Sequence, residues 1–258
     1  AYKLADMQLC LQDHIDMKLD RCFDEEGVQK GASQRSPCRL NLLHRSPPVL
    51  QIDNFFTPQE CNDIKSCTDG AYEVGSATFQ GALSTRTSTS WFCNYDQVPA
   101  LLAKANGLLN IPIEVMEEPQ IVRYKQGQQF SWHYDEVPRP QLSNGGQRSA
   151  TLLVYLNDME GGGGGTVFRD LKSPDGTELT MQPKEGSALL FFPSFADGRP
   201  DDRTLHKGDV IVGEDEKWII QMWIHERGYS ASLPPGNLQH AALGAIQAKL
   251  EELGLNDV

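Results

Sequence analysis

The sequence predicts an α+β domain in which helices pack on one sheet. Between about Tyr72 and His225 the chain passes through many short runs rich in Val, Ile, Phe, Tyr and Trp, separated by PRPQLSNGG, NDMEGGGGG, DLKSPDGTE and FADGRPDD. That is the rhythm of a β-sandwich or barrel. Helical spacing of apolar residues recurs near both ends of the chain, whereas the only strong helical pattern inside the β-rich region is Val98 to Leu109.

In chain order, Leu4, Met7, Leu11, Ile15, Leu19 and Cys22 recur at three- and four-residue steps between Tyr2 and Phe23. This predicts one long amphipathic helix, laid across the outside of a sheet or serving as a dimerising seam. The following DEEGVQKGASQRSPCRLNLLHRSPP is rich in breakers and reads as a linker. VLQIDNFF reads as a strand, and TPQECNDIKSC opens a helix with Thr57 as N-cap, Pro58 in the first helical position and Glu60 as the reciprocal capping-box partner. At the other end, GNLQHAALGAIQAKLEEL predicts a second amphipathic helix capped by Asn237.

Charge and composition narrow the function. Lysine and arginine number 23 against 35 acidic residues, a formal net charge of -12, which argues against a nucleic-acid or anionic-membrane partner and would steer a basic peptide favourably. No run approaches the ~18 apolar residues of a membrane span, and AYKLADMQLC lacks the order of a signal peptide. Cys10, Cys22, Cys38, Cys61, Cys67 and Cys93 form no CxxC pair, so a zinc site is not expected. Three cysteines in the first forty residues suit disulfides and a secretory-pathway (endoplasmic reticulum) location, with free buried thiols and a cytoplasmic location as the alternative. The absence of any Asn-x-Ser/Thr sequon argues the other way.

The stretch SWHYDE carries the chemistry. On a β-strand His133 and Asp135 would project to one side, about 7 Å apart at Cα, which suits two ligands of one metal ion or a mutual hydrogen bond. His206, in DDRTLHKGD, is the best third ligand, because it lies in a later strand-like segment. Two imidazoles and one carboxylate leave three coordination positions open, the facial triad of non-haem Fe(II) oxygenases. Zinc hydrolases with two histidines and an acid favour a helical HExxH, which is missing. His14, His44 and His240 fall in helical or linker stretches and read as ordinary surface residues. Beyond His206, the strand-like KWIIQMWIHERG puts Lys217, Ile219, Gln221, Trp223 and His225 on one face. A lysine there either snorkels to water or pairs with a dicarboxylate whose other end chelates the metal.

Several blocks occur in an order that resembles the prolyl 4-hydroxylases of the collagen, plant and algal type, which are 2-oxoglutarate- and Fe(II)-dependent dioxygenases. These are RTSTSWF, RYKQGQQFSWHYD, GGQRSATLLVYLND, GGTVF and KWIIQMWIHERG, spanning roughly Pro48 to Gly228. The resemblance implies a double-stranded β-helix (jelly-roll) core with flanking N- and C-terminal helices. The divisions it implies are residues 1–47 for the N-terminal helix and linker, 48–230 for the catalytic domain and 231–258 for the C-terminal helix. It implies Fe(II) bound by His133, Asp135 and His206, 2-oxoglutarate paired with Lys217 in a pocket lined by Tyr124 and Thr166, O₂ as the second co-substrate and ascorbate as reductant. Arg86, on a mobile loop, and Arg148, Trp223 and His225 are implied to face a proline-containing peptide. The implied reaction is peptidyl-proline 4-hydroxylation coupled to oxidative decarboxylation of 2-oxoglutarate to succinate and CO₂. Hydroxylation of a free amino acid or other small molecule, and a noncatalytic binding module, are the alternatives.

The chain also departs from the family pattern. The lysine usually follows the distal histidine by ten residues with a Cys-Pro between, but HKGDVIVGEDEK has one residue more and no Cys-Pro, so the turn must differ. Phe130 stands where relatives often carry tyrosine, and the run Gly161 to Gly165 exceeds the usual Gly-Gly.

Overall fold

Along the strand Arg148–Tyr155, Ala150, Leu152 and Val154 alternate with Thr151, Leu153 and Tyr155, and all six are buried. A strand buried on both faces needs a packed layer on each side. The fold supplies a second sheet on one side and helices on the other. The computed structural model describes residues 8, 38–70, 72–74, 87–231 and 242–255.

Among the described residues the strands are β1 Arg39–His44, β2 Val49–Asp53, β3 Tyr72–Val74, β4 Thr89–Phe92, β5 Gln120–Tyr124, β6 Phe130–His133, β7 Arg148–Tyr155, β8 Thr166–Lys172, β9 Glu178–Met181, β10 Ala188–Phe191, β11 His206–Gly208 and β12 Lys217–His225. Eight form one sheet in the order β1-β2-β10-β7-β12-β5-β4-β3, and four form a second in the order β6-β11-β8-β9. Every pairing is antiparallel. This is the expected double-stranded β-helix. Val122, Tyr124, Leu153, Tyr155, Phe191 and Ile219 of the large sheet join Phe168 and Met181 of the small one in a single apolar cluster.

The other face of the large sheet presents Leu50, Ile52, Ile121, Leu152, Val154, Ile220 and Met222 to the helices. These are α1 Pro58–Ser66, α2 Pro99–Leu109 and α3 Leu243–Leu253, which contribute Ile64, Leu101, Leu102, Leu108, Ile246 and Leu250. The α1 cap is the one read from the sequence: the Glu60 N–H donates to Thr57 Oγ1 at 3.2 Å, and the Thr57 N–H donates to Glu60 Oε2 at 2.7 Å.

One expectation is corrected. The stretch read as a linker contains β1, which pairs with β2 from Arg39 opposite Asp53 to His44 opposite Val49. Its breakers flank the strand rather than interrupt it, and its side chains are exposed or half-buried, so the alternation that marks a strand is weak. His44 ends that strand, with Nδ1 2.8 Å from the Pro47 carbonyl. Apart from Gln8, the helix expected from Tyr2 to Phe23 lies outside the described residues, as do His14, His240, the cap at Asn237, Cys10 and Cys22. Gln8 is buried, and its Nε2 donates to the Ser194 carbonyl at 2.7 Å. Cys38, Cys61, Cys67 and Cys93 are free thiols.

A buried ion pair ties the helices to the core. Lys104 Nζ, on α2, lies 2.8 Å from Glu60 Oε2 on α1 and donates to the Phe55 carbonyl. Burial alone would raise the Glu60 pKa, but the Lys104 charge and the bonds from Lys104 and Thr57 hold it below the ordinary range. Lys104→Ala leaves that buried carboxylate with only the more distant Lys249, 4.0 Å from Glu60 Oε1, at an expected cost of about 3 kcal/mol in denaturant unfolding. A loss below about 1 kcal/mol, the value of an exposed pair, would show that the pair does not hold the helices.

Candidate active site

His133 ends β6 and His206 begins β11, and the two residues are cross-strand partners. Their rings come within 4.2 Å, centroid to centroid. Asp135 lies just past the end of β6, not on the strand as expected, so it reaches the histidines from irregular backbone. Its Oδ1 is 3.6 Å from His133 Nε2 and its Oδ2 is 3.8 Å from His206 Nε2. One ligand atom from each residue falls within 4.8 Å of the others. These gaps are too long for hydrogen bonds. They are close to the spacing of about 3 Å at which two N or O ligands, each ~2.1 Å from one ion, stand at right angles.

The surroundings fix each ligand's orientation. Nδ1 of His133 donates to the Ser131 carbonyl at 2.8 Å, and Nδ1 of His206 donates to the Thr204 carbonyl at 3.0 Å. A carbonyl can only accept, so each Nδ1 carries a proton, and Nε2, the nitrogen turned toward Asp135, is the one that a metal ion would take in exchange for a proton. Asp135 is buried, and Thr151 Oγ1 donates to its Oδ2 at 2.7 Å. Burial by itself would raise its pKa; the charges of His206, His133 and Arg148 and the Thr151 bond outweigh burial and hold it below the ordinary range. Phe130 stacks on the His133 ring at 3.6 Å.

Arg148 braces Asp135 from behind. Its Nη1 donates to the Asp135 carbonyl at 3.1 Å, while Nε and Nη2 donate to the two oxygens of Glu117 at 2.9 and 2.7 Å. The guanidinium also lies 3.9 Å over the Trp223 ring. His225 Nε2 is 2.9 Å from the same Glu117. Two of the residues expected on the peptide side thus share one half-buried carboxylate. Burial would raise the Glu117 pKa, and the bonds and charges of His225 and Arg148 bring it below its usual value instead. Beside this network, Gln147 accepts from the Val137 N–H and donates back to its carbonyl, which anchors the chain just beyond Asp135.

Lys217 opens β12 opposite Tyr124. Its side chain is 2% exposed, and no carboxylate among the described residues lies within ion-pair distance. Nζ sits 5.3 Å from the Tyr124 ring centroid and 5.5 Å from that of Tyr155. The Tyr155 hydroxyl is 2.7 Å from Thr166 Oγ1. Burial brings the Lys217 pKa down to about 7, partly offset by the charge of Asp209. A buried cation beside aromatic rings, with no anion paired to it among the described residues, fits the carboxylate of a small acid.

Arg86 lies outside the described residues. Glu117, Thr151, Gln147 and Tyr155 were not singled out by sequence. Glu117 sits 31 residues before Arg148 and 108 before His225, so no local pattern signals it. Glu117→Ala would leave Arg148 and His225 without their shared anion. It is expected to cost about 3–5 kcal/mol in chemical denaturation. A change within about 0.5 kcal/mol, as at an ordinary surface position, would show that Arg148 and His225 do not depend on it.

Comparison with known proteins gives consistent likenesses. The 2OG-Fe(II) oxygenase superfamily profile matches residues 119–225. Probable prolyl 4-hydroxylase 7 of Arabidopsis thaliana is 31% identical over 214 residues, covering 75% of this chain and 67% of its own. Probable prolyl 4-hydroxylase 6 of the same plant is 31% identical over 216 residues, covering 75% of this chain and 74% of its own. Among solved structures, the viral collagen prolyl hydroxylase of Paramecium Bursaria Chlorella virus-1, in its 2OG complex, is 28% identical with a TM-score of 0.54, covering 68% of this chain and 94% of that one.

Proposed function

The chain belongs to the prolyl 4-hydroxylase family of 2-oxoglutarate- and Fe(II)-dependent oxygenases, and from that premise we propose that it hydroxylates proline residues within peptides, using the side chains described above. The convergence of two imidazole Nε2 atoms and one carboxylate within 4.8 Å, with a buried ammonium that has no counterion among the described residues, carries this reading.

Fe(II) would be held by His133, Asp135 and His206, and Lys217 would pair with the distal carboxylate of 2-oxoglutarate. Tyr124 and Thr166 would line that end of the pocket. When bound, Fe(II), 2-oxoglutarate and O₂ supply the oxidation, with one oxygen atom going to proline and the other to succinate as CO₂ leaves. The protein's part is to position and to exclude water. The Ser131 and Thr204 carbonyls keep the two histidines in the ligating tautomer. Thr151 and Arg148 hold the carboxylate and its backbone still.

On the peptide side, Arg148 commits three of its five N–H groups to Glu117 and Asp135, which leaves two for a peptide carbonyl. The Trp223 indole N–H is buried with no partner among the described residues, a further donor for a polar ligand. Proline-rich peptides already populate an extended helix and bind with little ordering cost. The net charge of -12 favours approach by basic segments.

The metal assignment is tested by anaerobic Fe(II) binding with 2-oxoglutarate, which should give the weak visible charge-transfer band of a chelated 2-oxo acid. His133→Ala, Asp135→Ala and His206→Ala should each lose it, and full activity in any one removes that residue from the set. Lys217→Ala should weaken 2-oxoglutarate binding by about 2–5 kcal/mol while Fe(II) binding persists. In the native protein that affinity should hold steady below about pH 7 and fall as pH rises above it, because the ammonium must first regain its proton.

The substrate class is tested by succinate release and product mass. Proline-containing peptides, and not free proline, should stimulate turnover and gain one oxygen on proline. Equal oxidation of free amino acids would overturn the peptide assignment and leave the oxygenase intact.

A further inference from the structure

The glycine run and the altered turn after His206 form one unit. The Gly164 N–H donates to the Val210 carbonyl at 3.1 Å, the Val212 N–H donates to the Gly162 carbonyl at 3.4 Å, and Gly163 bridges Ile211. The Gly161 N–H donates to Asp215 Oδ2 at 2.6 Å. The long glycine run is therefore a strap laid on the turn that carries the extra residue.

That strap backs the side chain of Lys217. A β-carbon on Gly164 would stand 2.9 Å from Ile211 Cδ1 and 3.2 Å from Lys217 Cδ, so the lysine stem leans on bare backbone. Further along the stem, Nζ lies 3.9 Å from where a β-carbon of Gly208 would be. Gly208 pairs with Thr166 and stands two residues from His206, a step of about 7 Å along a strand. The side chain thus runs from the strap at its Cδ to Gly208 at its Nζ, on the strand that His206 begins.

We propose that Gly164 is a positioning residue that gauges co-substrate length. By letting the Lys217 stem lie flat, it places the ammonium for the five-carbon diacid 2-oxoglutarate. A methyl group there drives the stem toward His206 and shifts preference to the four-carbon oxaloacetate. This rests on the assignment of Lys217 to the distal carboxylate.

The test is calorimetric titration of 2-oxoglutarate, oxaloacetate and 2-oxoadipate into the Fe(II)-loaded protein under nitrogen, comparing native protein with Gly164→Ala and Gly162→Ala. Gly162 has φ +79 and nothing within 4 Å of its β-position, whereas Gly164 has φ +72 and the contacts above. Both variants carry the same backbone strain, and only Gly164→Ala adds the contact. Gly164→Ala should cut the preference for 2-oxoglutarate over oxaloacetate by about tenfold or more, as overpacking does, and weaken 2-oxoadipate further. Gly162→Ala should leave the ratio unchanged. If Gly164→Ala does not fold, Gly164→Ala with Ile211→Val removes the 2.9 Å contact, keeps the 3.2 Å contact with Lys217, and serves in the same comparison. An unchanged ratio, alongside weakened binding in Lys217→Ala, overturns the gauge alone. Native-like binding of all three acids by Lys217→Ala overturns the assignment of Lys217 beneath it.

Discussion

A cation buried at 2% exposure without a counterion among the described residues is the constraint around which the small-sheet side of this barrel is arranged. Such a charge is costly unless it is neutralised or paired. Burial brings Lys217 from its ordinary value of 10.5 to about 7. The unfolded chain still holds that proton where the folded protein has released it, so Lys217 makes stability rise with pH between about 7 and 10.5. Near neutrality the fold carries most of the cost. An anion delivered into the pocket removes it, which gives co-substrate binding a driving force stored in the fold.

The metal side of the barrel solves the opposite problem. Here the groups that converge need an added cation, and the protein must keep them from collapsing onto one another. Antiparallel pairing of β6 with β11 puts His133 opposite His206, and backbone carbonyls at Ser131 and Thr204 hold their Nδ1 protons. Asp135, off the strand, depends on Thr151 and on Arg148, and Arg148 depends on Glu117. The same Glu117 meets His225, so the far end of β12 and the approach to the metal are tied through one carboxylate. Rigidity in this layer turns three separate residues into a preorganised set of ligands.

What the sequence disclosed followed the range of each interaction. The α1 cap was legible because Thr57, Pro58 and Glu60 act on one another within one turn. α2 was legible from its apolar run, and the histidines and Lys217 from chemistry that stands out in β-rich surroundings. β1 was obscured by breakers that lie around it and by side chains too exposed to alternate. Placing Asp135 on the strand failed because a spacing of two residues does not reveal where β6 ends. Glu117, Thr151 and Tyr155 were silent for another reason. Their partners are Arg148 and His225, Asp135, and Thr166, reached only once the strands are paired. The glycine run stood out only by its length, and its close fit against Val210 and Lys217 exists only after the turn folds back onto it.

The most direct measurement of the central claim is the titration of Lys217 itself. Carbon-13 NMR of ε-labelled lysine, with the Lys217 signal assigned by its loss in Lys217→Arg, follows the amine with and without 2-oxoglutarate. The buried, unpaired cation predicts a midpoint near 7 in the free protein, moving up by several units when 2-oxoglutarate is bound. A midpoint near the ordinary ~10.4 in the free protein, unmoved by 2-oxoglutarate, would contradict it.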